Sequence, residues 1–128
     1  MRLLLDTQAF LWAIEAPERL SARARKEIKS DANEILVSAA SAWEIAIKTS
    51  LGDLVLPDDP QRFVPEQMAA NSFIPLPVLM RHALKVADLP KIHKDPFDRL
   101  LVAQASVEDL GLVTADPHVR KYPVDTIW

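Results

Sequence analysis

Cysteine is absent from this 128-residue sequence, and glycine occurs only twice, at Gly52 and Gly111. Without cysteine the chain has no thiol nucleophile, disulfide, iron-sulfur cluster or common zinc finger, which agrees with a reducing compartment. Two distant glycines cannot form a Gly-x-Gly-x-x-Gly or Walker A loop, because each needs closely spaced glycines where the backbone approaches phosphate. Nucleotide binding through either loop is therefore excluded.

Long apolar runs are also missing. After Met1-Arg2, the run Leu3-Leu4-Leu5 ends at the charged Asp6. This is far short of a signal-peptide core or of the roughly 20 residues of a membrane helix. We therefore expect no targeting or membrane segment, and a cytoplasmic protein.

A surplus of basic residues is absent as well, since 15 Lys and Arg stand against 18 Asp and Glu, a formal net charge of -3. Taken alone, this argues against a nucleic-acid-binding protein, which is usually basic. The apolar fraction of 49% and the charged fraction of 26% are typical of a soluble globular protein. The length suits a single domain, residues 1–128, with one core.

Short apolar runs alternate with helical segments along the chain. We predict strands at 2–5, 34–38, 73–76, 112–114 and 124–127. We predict helices at 7–15, 22–29, 41–51, 66–71, 77–87 and 97–110, with a proline-rich loop at 57–65 and Gly111 as the stop of the last helix. Strands that alternate with helices imply crossover connections, and the apolar strands lack the alternation of a half-exposed sheet. The sequence therefore predicts an α/β fold, a three-layer α/β/α sandwich with a mostly parallel central sheet.

Five carboxylates stand where predicted strands end or predicted helices begin. They are Asp6, Glu44, Asp95, Asp98 and Asp116. In an open α/β sheet such positions meet at the carboxyl ends of the strands, so we expect the five acids to converge.

Each acid also has an ordinary structural explanation. Glu44 is three residues after Ser41 and fits a capping box, which is the favoured reading for that residue in isolation. Asp95 fits an N-cap, Asp98 fits the positive end of a helix dipole, and Asp6 and Asp116 fit caps of the segments that follow them.

Capping does not explain the expected convergence. Several carboxylates in a partly dry cleft repel one another unless they are protonated or neutralised. Mg²⁺ or Mn²⁺ prefers oxygen ligands and supports phosphoryl-transfer chemistry. The histidines His82, His93 and His118 lack the i, i+4 spacing of a zinc-binding helix. Of the three, we expect only His93 near the acidic cluster, and a connector histidine that hydrogen-bonds to the backbone is the favoured reading for it.

Four stretches of the sequence resemble PIN-domain ribonuclease toxins of the VapC type. They are Leu3-Leu-Leu-Asp-Thr7, Ser41-Ala-Trp-Glu-Ile-Ala-Ile-Lys48 followed by Leu51-Gly52, His93-Lys-Asp-Pro-Phe-Asp-Arg-Leu-Leu-Val-Ala-Gln-Ala105, and Leu112-Val-Thr-Ala-Asp116. The third is long and specific, and together they extend over nearly the whole chain.

The resemblance implies a parallel-sheet α/β/α sandwich and a Mg²⁺-dependent endoribonuclease that is the toxin of a type II toxin-antitoxin system. It implies hydrolysis of an RNA phosphodiester by a metal-activated water, leaving a 5′-phosphate and a 3′-hydroxyl. A cognate VapB-type antitoxin would cover the site and tether the complex to operator DNA, and a homodimer is favoured. Mn²⁺ is the alternative ion.

The resemblance also assigns an acidic quartet, Asp6, Glu44, Asp98 and Asp116. Asp6 and Asp98 would be direct metal ligands, and Glu44 and Asp116 would hold metal-bound waters or a second ion. Three secondary residues are Asp95, as N-cap and possible outer group, Thr114, as a hydrogen-bonding group or a plain strand residue, and Arg99. For Arg99, an ion pair within the acidic cluster is favoured over a contact to phosphate.

Two other classes remain as alternatives. A phosphoacceptor signalling domain would need a pair of acids at the first strand, and an Asp-x-Asp phosphatase is disfavoured by the sequence Asp6-Thr7-Gln8. A non-catalytic interaction module would use the acids only as caps. Phe10, Trp12 and Trp43 fit dimer or antitoxin contacts, although large aromatic side chains on helices are more often core. Setting the five acids aside leaves 15 basic against 13 acidic residues, so the acidic excess resides in the predicted site.

Overall fold

A computed structural model describes residues 1–128 and contains one five-stranded sheet in which every strand pair is parallel. The strands are β1 (Arg2–Leu5), β2 (Glu34–Ser38), β3 (Ile74–Leu76), β4 (Gly111–Val113) and β5 (Thr126–Ile127). Their order is β3-β2-β1-β4-β5, so the chain builds outward on one side of β1 and later returns to its other side. The strand order reverses between β1 and β4, where open α/β sheets commonly bind ligands.

Six helices connect these strands. They are α1 (Thr7–Glu15), α2 (Ala22–Lys29), α3 (Ala39–Ser50), α4 (Pro60–Ala70), α5 (Met80–Lys85) and α6 (Pro96–Glu108). Short 3₁₀ turns occur at Pro17–Arg19, Val86–Asp88 and Val119–Lys121. The longest helix has 13 residues, and none combines the length and hydropathy that crossing a bilayer requires.

Both faces of the sheet are covered. Leu3 and Leu5 point into a core with Phe10 of α1 and with residues of α2, α3 and α4, whereas Leu4 points into a second core with Leu101 of α6. Burial on both sides explains why the strands show no polar alternation. The predicted three-layer sandwich with a parallel sheet is therefore confirmed.

The predicted loop at 57–65 is wrong, because most of it belongs to α4. Asp59 caps this helix, and a proline occupies its first helical position, where no N–H is needed. Pro65 lies inside the helix, where a proline costs about 3 kcal/mol or more. Phe63 and Val64 are buried in the core, and their burial offsets that cost.

Gly111 does not stop the last helix as predicted. The helix ends at Glu108, its C-cap Asp109 adopts a left-handed conformation with φ 54°, and Gly111 is the first residue of β4. A Cβ atom at Gly111 would lie 2.9 Å from Leu3 Cδ2 of the neighbouring strand. The glycine therefore permits close packing between β4 and β1.

The predicted helix at 77–87 is shorter in the structure, because the backbone before it is bonded elsewhere. The Pro77 carbonyl accepts from Gln104 Nε2 at 3.2 Å, and the Leu79 N–H donates to His82 Nδ1 at 3.0 Å. His82 is fully buried, and its Nε2 lies 2.7 Å from Glu108 Oε1. The remaining strand and helix boundaries differ from the prediction by up to two residues.

Candidate metal centre

Asp6 follows β1 directly, and its backbone N–H links the end of β1 to the neighbouring strand β4. Its N–H donates to the Val113 carbonyl at 3.0 Å, and its Oδ1 accepts from the Ala9 N–H at 2.7 Å as the N-cap of α1. Desolvation by burial raises the pKa of the Asp6 carboxyl above its ordinary value, although hydrogen bonds from Thr114 and Ala9 oppose this. A buried acid of this kind is costly to ionise unless a positive charge lies nearby.

The helix that carries Glu44 begins earlier than predicted. Ser38, at the end of β2, caps α3 by accepting from the Ala40 N–H at 3.0 Å. Ser41 Oγ instead accepts from the Thr7 hydroxyl at 2.9 Å. The expected capping box of Ser41 and Glu44 is therefore wrong, because the strand-end serine already caps the helix.

Glu44 is paired with a lysine one turn further along α3. Lys48 Nζ lies 2.8 Å from Glu44 Oε2, and this hydrogen bond raises the pKa of Lys48. Glu44 is buried, whereas the Lys48 side chain is 51% exposed. Sequence reasoning did not select Lys48 as a site residue, although the i, i+4 spacing from Glu44 was a signal for the pair.

Two more acids stand at the start of α6. Asp95 is its N-cap, as predicted, and its Oδ1 accepts from the Phe97 and Asp98 N–H groups at 2.9 and 3.0 Å. Desolvation raises the pKa of Asp98 to about 6, neighbouring acids add to the rise, and a hydrogen bond from His93 opposes it. The surroundings therefore disfavour the ionised form of Asp98, and a bound cation would favour it.

Asp116 lies in the loop after β4, and Thr114 is bonded to it. The Asp116 N–H donates to Thr114 Oγ1 at 3.1 Å, and Asp116 Oδ1 accepts from the His118 N–H at 2.8 Å. Thr114 is fully buried. Its hydroxyl therefore bonds within the site, rather than being that of a plain strand residue.

The structure brings the five acids together around one cavity of about 570 Å³ at the carboxyl ends of β1 and β4. They are Asp6, Glu44, Asp95, Asp98 and Asp116, and the cavity is also lined by Lys48 and Asp53. Six carboxyl groups thus face this space together with one ammonium group, which leaves a strongly negative cavity in the metal-free protein.

His93 takes a position that the sequence did not indicate. Its Nε2 lies 3.2 Å from Asp98 Oδ2 and its Nδ1 lies 2.8 Å from the Tyr122 hydroxyl, so the expected bond to the backbone is wrong. Ligand atoms of His93, Asp98 and Asp116 all lie within 4.8 Å of one another. The connector before α6 therefore bends back against the acids, which its irregular sequence does not reveal.

The expected ion pair between Arg99 and the acidic cluster is also wrong. The Arg99 guanidinium donates to the carbonyls of Pro90 and Val86, at 2.8 and 3.3 Å, and to the Tyr122 hydroxyl at 2.9 Å. Successive residues of a helix point about 100° apart, since a turn contains 3.6 residues. Arg99 therefore faces away from the cavity that its neighbour Asp98 lines.

The three aromatic residues have different environments. Phe10 is fully buried in the core, so it is not a surface contact. Trp12 lines the cavity and packs 6.0 Å from Trp128 between ring centroids. Trp43 is 61% exposed, and its outer face is open to solvent beside Phe97, 5.3 Å away.

The donor set of this cavity fits a hard divalent cation. Carboxylate oxygens are the ligands that Mg²⁺ and Mn²⁺ prefer, and neither the buried Asp6 nor the partly buried Asp98 forms an ion pair with a lysine or arginine. Such an ion would neutralise the repulsion among the acids and create an attractive site for a phosphate group.

Comparison with known proteins agrees with this geometry. The family model for the PIN domain matches residues 3–125 of the chain. Over 50 residues the chain is 48% identical to Ribonuclease VapC16 of Mycobacterium tuberculosis (strain ATCC 25618 / H37Rv). That match includes 39% of this chain and spans only 36% of the relative's length.

Solved toxin-antitoxin structures share the fold over the full length. VapBC2 from Rickettsia felis, bound to a DNA fragment from its promoter, superposes with a TM-score of 0.74 at 16% identity, covering 100% of this chain and 99% of that chain. DNA-bound VapBC from Salmonella typhimurium gives a TM-score of 0.70 at 15% identity, covering 99% and 97%. A toxin-antitoxin complex from Klebsiella pneumoniae gives 0.67 at 15% identity, covering 98% and 96%. At these identities the similarity shows the fold.

Proposed function

The chain belongs to the PIN domain family, and from this premise we propose that it is a Mg²⁺-dependent endoribonuclease, the toxin of a type II toxin-antitoxin system. The observation that carries the proposal is the cavity between β1 and β4, in which Asp6, Glu44, Asp98 and Asp116 converge. PIN nucleases generally depend on a divalent metal, and this cavity has the oxygen ligands for one. Mn²⁺ is the alternative ion.

The four acids divide by their surroundings into two pairs. Asp6 and Asp98 are proposed as direct ligands, because burial makes their charges the most costly to leave uncompensated. Glu44 and Asp116 would hold coordinated waters or a second ion, and Glu44 is already paired with Lys48. When bound, the cation would polarise the scissile phosphate and lower the pKa of a coordinated water.

The protein's own groups would position the substrate and keep the acids ionised. The Thr114 hydroxyl acts to lower the pKa of Asp6, and the α1 amide of Ala9 also bonds this carboxylate. Lys48, half exposed at the cavity edge, would contact an RNA phosphate. The reaction adds water to phosphorus and breaks the bond to the 3′ oxygen, which leaves a 3′-hydroxyl and a 5′-phosphate. No covalent intermediate is required, in agreement with a chain that has no cysteine.

We propose further that a VapB-type antitoxin covers this cavity and that operator DNA is bound only through the antitoxin. Two solved complexes with the same fold support this, since they are VapBC proteins bound to DNA. A homodimer is proposed as well, and the exposed Trp43 supports an association surface. Size-exclusion chromatography with light scattering should give twice the mass of one chain, whereas a monomer at micromolar concentration would contradict the dimer.

The activity is tested by incubating purified protein with RNA in Mg²⁺ or in EDTA. Wild-type protein should cleave only with the metal, and D6N and D98N should lose at least about 100-fold in rate, as expected for loss of a metal ligand. Asparagine can still cap α1 at position 6, so folding should survive. D31N, at an exposed acid outside the cavity, is the matched control. Wild-type cleavage by D98N, or equal cleavage in EDTA, would overturn the proposal, and a Mg²⁺-binding protein that leaves RNA intact would favour the signalling alternative.

A further inference from the structure

His93 connects the acidic cavity to a chain of hydrogen bonds that the proposed function does not use. The imidazole is 12% exposed and lies between the rings of His118, stacked at 5.7 Å, and Tyr122, at 5.4 Å. Its Nε2 lies 3.2 Å from Asp98 Oδ2, and its Nδ1 lies 2.8 Å from the Tyr122 hydroxyl. Both ring nitrogens therefore have a hydrogen-bond partner.

The direction of these hydrogen bonds follows from Arg99, which hydrogen-bonds to Tyr122 at the end of the series opposite Asp98. Arg99 donates to the Tyr122 hydroxyl oxygen at 2.9 Å, and a guanidinium group can only donate. The tyrosine oxygen thus accepts from Arg99, and its own proton is free to point at His93 Nδ1. Nδ1 then accepts, so the proton of the neutral ring is on Nε2 and is donated to Asp98 Oδ2.

Arg99 is itself held in place by backbone carbonyl groups and by the Tyr122 ring. Arg99 also donates to the carbonyls of Pro90 and Val86, at 2.8 and 3.3 Å, and its guanidinium carbon lies 5.9 Å from the centre of the Tyr122 ring. Tyr122 is itself buried in the core against α6. The order Arg99 to Tyr122 to His93 to Asp98 therefore begins at a rigid donor and ends at a carboxylate of the cavity.

We propose that His93 is a positioning residue that orients the Asp98 carboxylate for the metal ion through Nε2–H, with Tyr122 and Arg99 fixing its tautomer. This inference rests on the proposed metal site. The hydrogen bond occupies Oδ2 of Asp98 and leaves the other oxygen to the cation. Groups that hold a ligand in this way change metal affinity by about 10- to 100-fold when removed.

The competing role is that His93 itself ligates the ion together with Asp98 and Asp116, whose ligand atoms lie within 4.8 Å of it. In that arrangement Nε2 would carry no proton and Nδ1–H would point at the Tyr122 oxygen. That oxygen already accepts from Arg99, and the tyrosine proton would then lose its acceptor. The hydrogen-bond chain therefore favours positioning over ligation.

The first test measures Mg²⁺ and Mn²⁺ binding to the full chain by calorimetry, without RNA. We expect H93A to bind each ion about 10- to 100-fold more weakly than wild type. H93Q can place an amide N–H where Nε2–H lies, so it should bind within about threefold of wild type. H118A removes the stacked ring but no bond to Asp98, and it serves as the matched control with wild-type affinity. Circular dichroism of each variant checks that it is folded.

The second test reads the tautomer from the ¹⁵N resonances of the His93 ring. We expect a protonated Nε2 and an unprotonated Nδ1, both without metal and with saturating Mg²⁺, and a loss of this preference in Y122F. Loss of the Nε2 proton on metal addition, or an H93Q variant as weak as H93A, would overturn the inference in favour of ligation. Wild-type metal affinity in H93A would also overturn it, whereas failure of the proposed function appears separately, as wild-type protein that binds metal but does not cleave RNA.

Discussion

Asp6 and Asp98 are the two cavity acids whose ionisation is opposed most clearly by their surroundings. Burial raises the pKa of both carboxyl groups, that of Asp98 to about 6. The fold supplies partial compensation through backbone amides and a threonine hydroxyl, but only Lys48 brings a full positive charge into the cavity. At the residue scale, a bound cation should therefore stabilise the ionised forms of these two acids.

The raised pKa of Asp98 predicts how stability depends on pH. The ordinary value of 3.8 applies to the unfolded chain, so between about pH 4 and 6 the folded protein holds a proton that the unfolded chain has released. The free energy of unfolding of metal-free protein should therefore fall as pH rises through this window. In thermal denaturation with EDTA, D98N should flatten this fall and melt higher than wild type at pH 7.5.

Excess Mg²⁺ should reverse that order at pH 7.5, because wild type gains a ligand that D98N lacks. D31N should follow wild type under both conditions. If the stability of D98N depended on pH as that of wild type does, the raised pKa of Asp98 would be contradicted.

The Glu44–Lys48 pair predicts a second effect at this scale. The lysine is half exposed, so K48M should lower the stability of metal-free protein by less than about 1 kcal/mol. The same variant should show a larger rise of melting temperature on adding Mg²⁺, because the ammonium no longer competes for Glu44. K91M, at an exposed lysine outside the cavity, is the control. An unchanged response to Mg²⁺ would show that Glu44 does not face the ion.

The acids of the site could be found from sequence, whereas their partners could not. Each acid directly follows a strand or begins a helix, and the topology of a parallel sheet determines where such positions meet. His93 and Tyr122 lie in irregular segments, and their meeting depends on how two loops fold over α6. Arg99 was assigned the wrong side because a helix turns about 100° between neighbouring residues.

At the scale of elements, the first turn of α6 controls the position of Asp98. Asp95 accepts from two backbone N–H groups there, one of them that of Asp98 itself. The N-cap thus holds the helix start, and the helix start holds the carboxylate against the cavity.

Substitution at position 95 should separate capping from charge. D95A should lower the free energy of unfolding by about 1 kcal/mol, whereas D95N, which retains the cap, should stay close to wild type. Both quantities come from urea denaturation. If Asp95 only caps, D95N should also keep the Mg²⁺-dependent rise in melting temperature. Loss of that rise in D95N would instead identify Asp95 as a metal ligand.

The elements that were predicted wrongly from the sequence are those in which tertiary packing overrides local signals. Three prolines in 57–65 indicated a loop, yet burial of Phe63 and Val64 stabilises α4 with Pro65 inside it. Gly111 looked like a helix stop, but it is needed where β4 packs against Leu3. The apolar strands and the Asp-Pro start of α6 were predicted correctly, because their signals are local in the sequence.

At the scale of the whole molecule, the net charge of -3 has a local origin. The acids that exceed the basic residues line one cavity at the point where the strand order reverses. Without cations this cavity repels RNA phosphates, and with them it attracts one. RNA binding by such a protein is thus expected to be local and to depend on the ion.

Calorimetric titration of metal-free protein with Mg²⁺, alongside D98N and D31N, tests this metal site most directly. Wild type and D31N should show saturable binding, and D98N should bind at least about tenfold more weakly, because it loses a charged oxygen ligand. Saturable binding by D98N with wild-type affinity, or no saturable binding by wild type at millimolar Mg²⁺, would contradict the assignment of the cavity as a divalent metal centre.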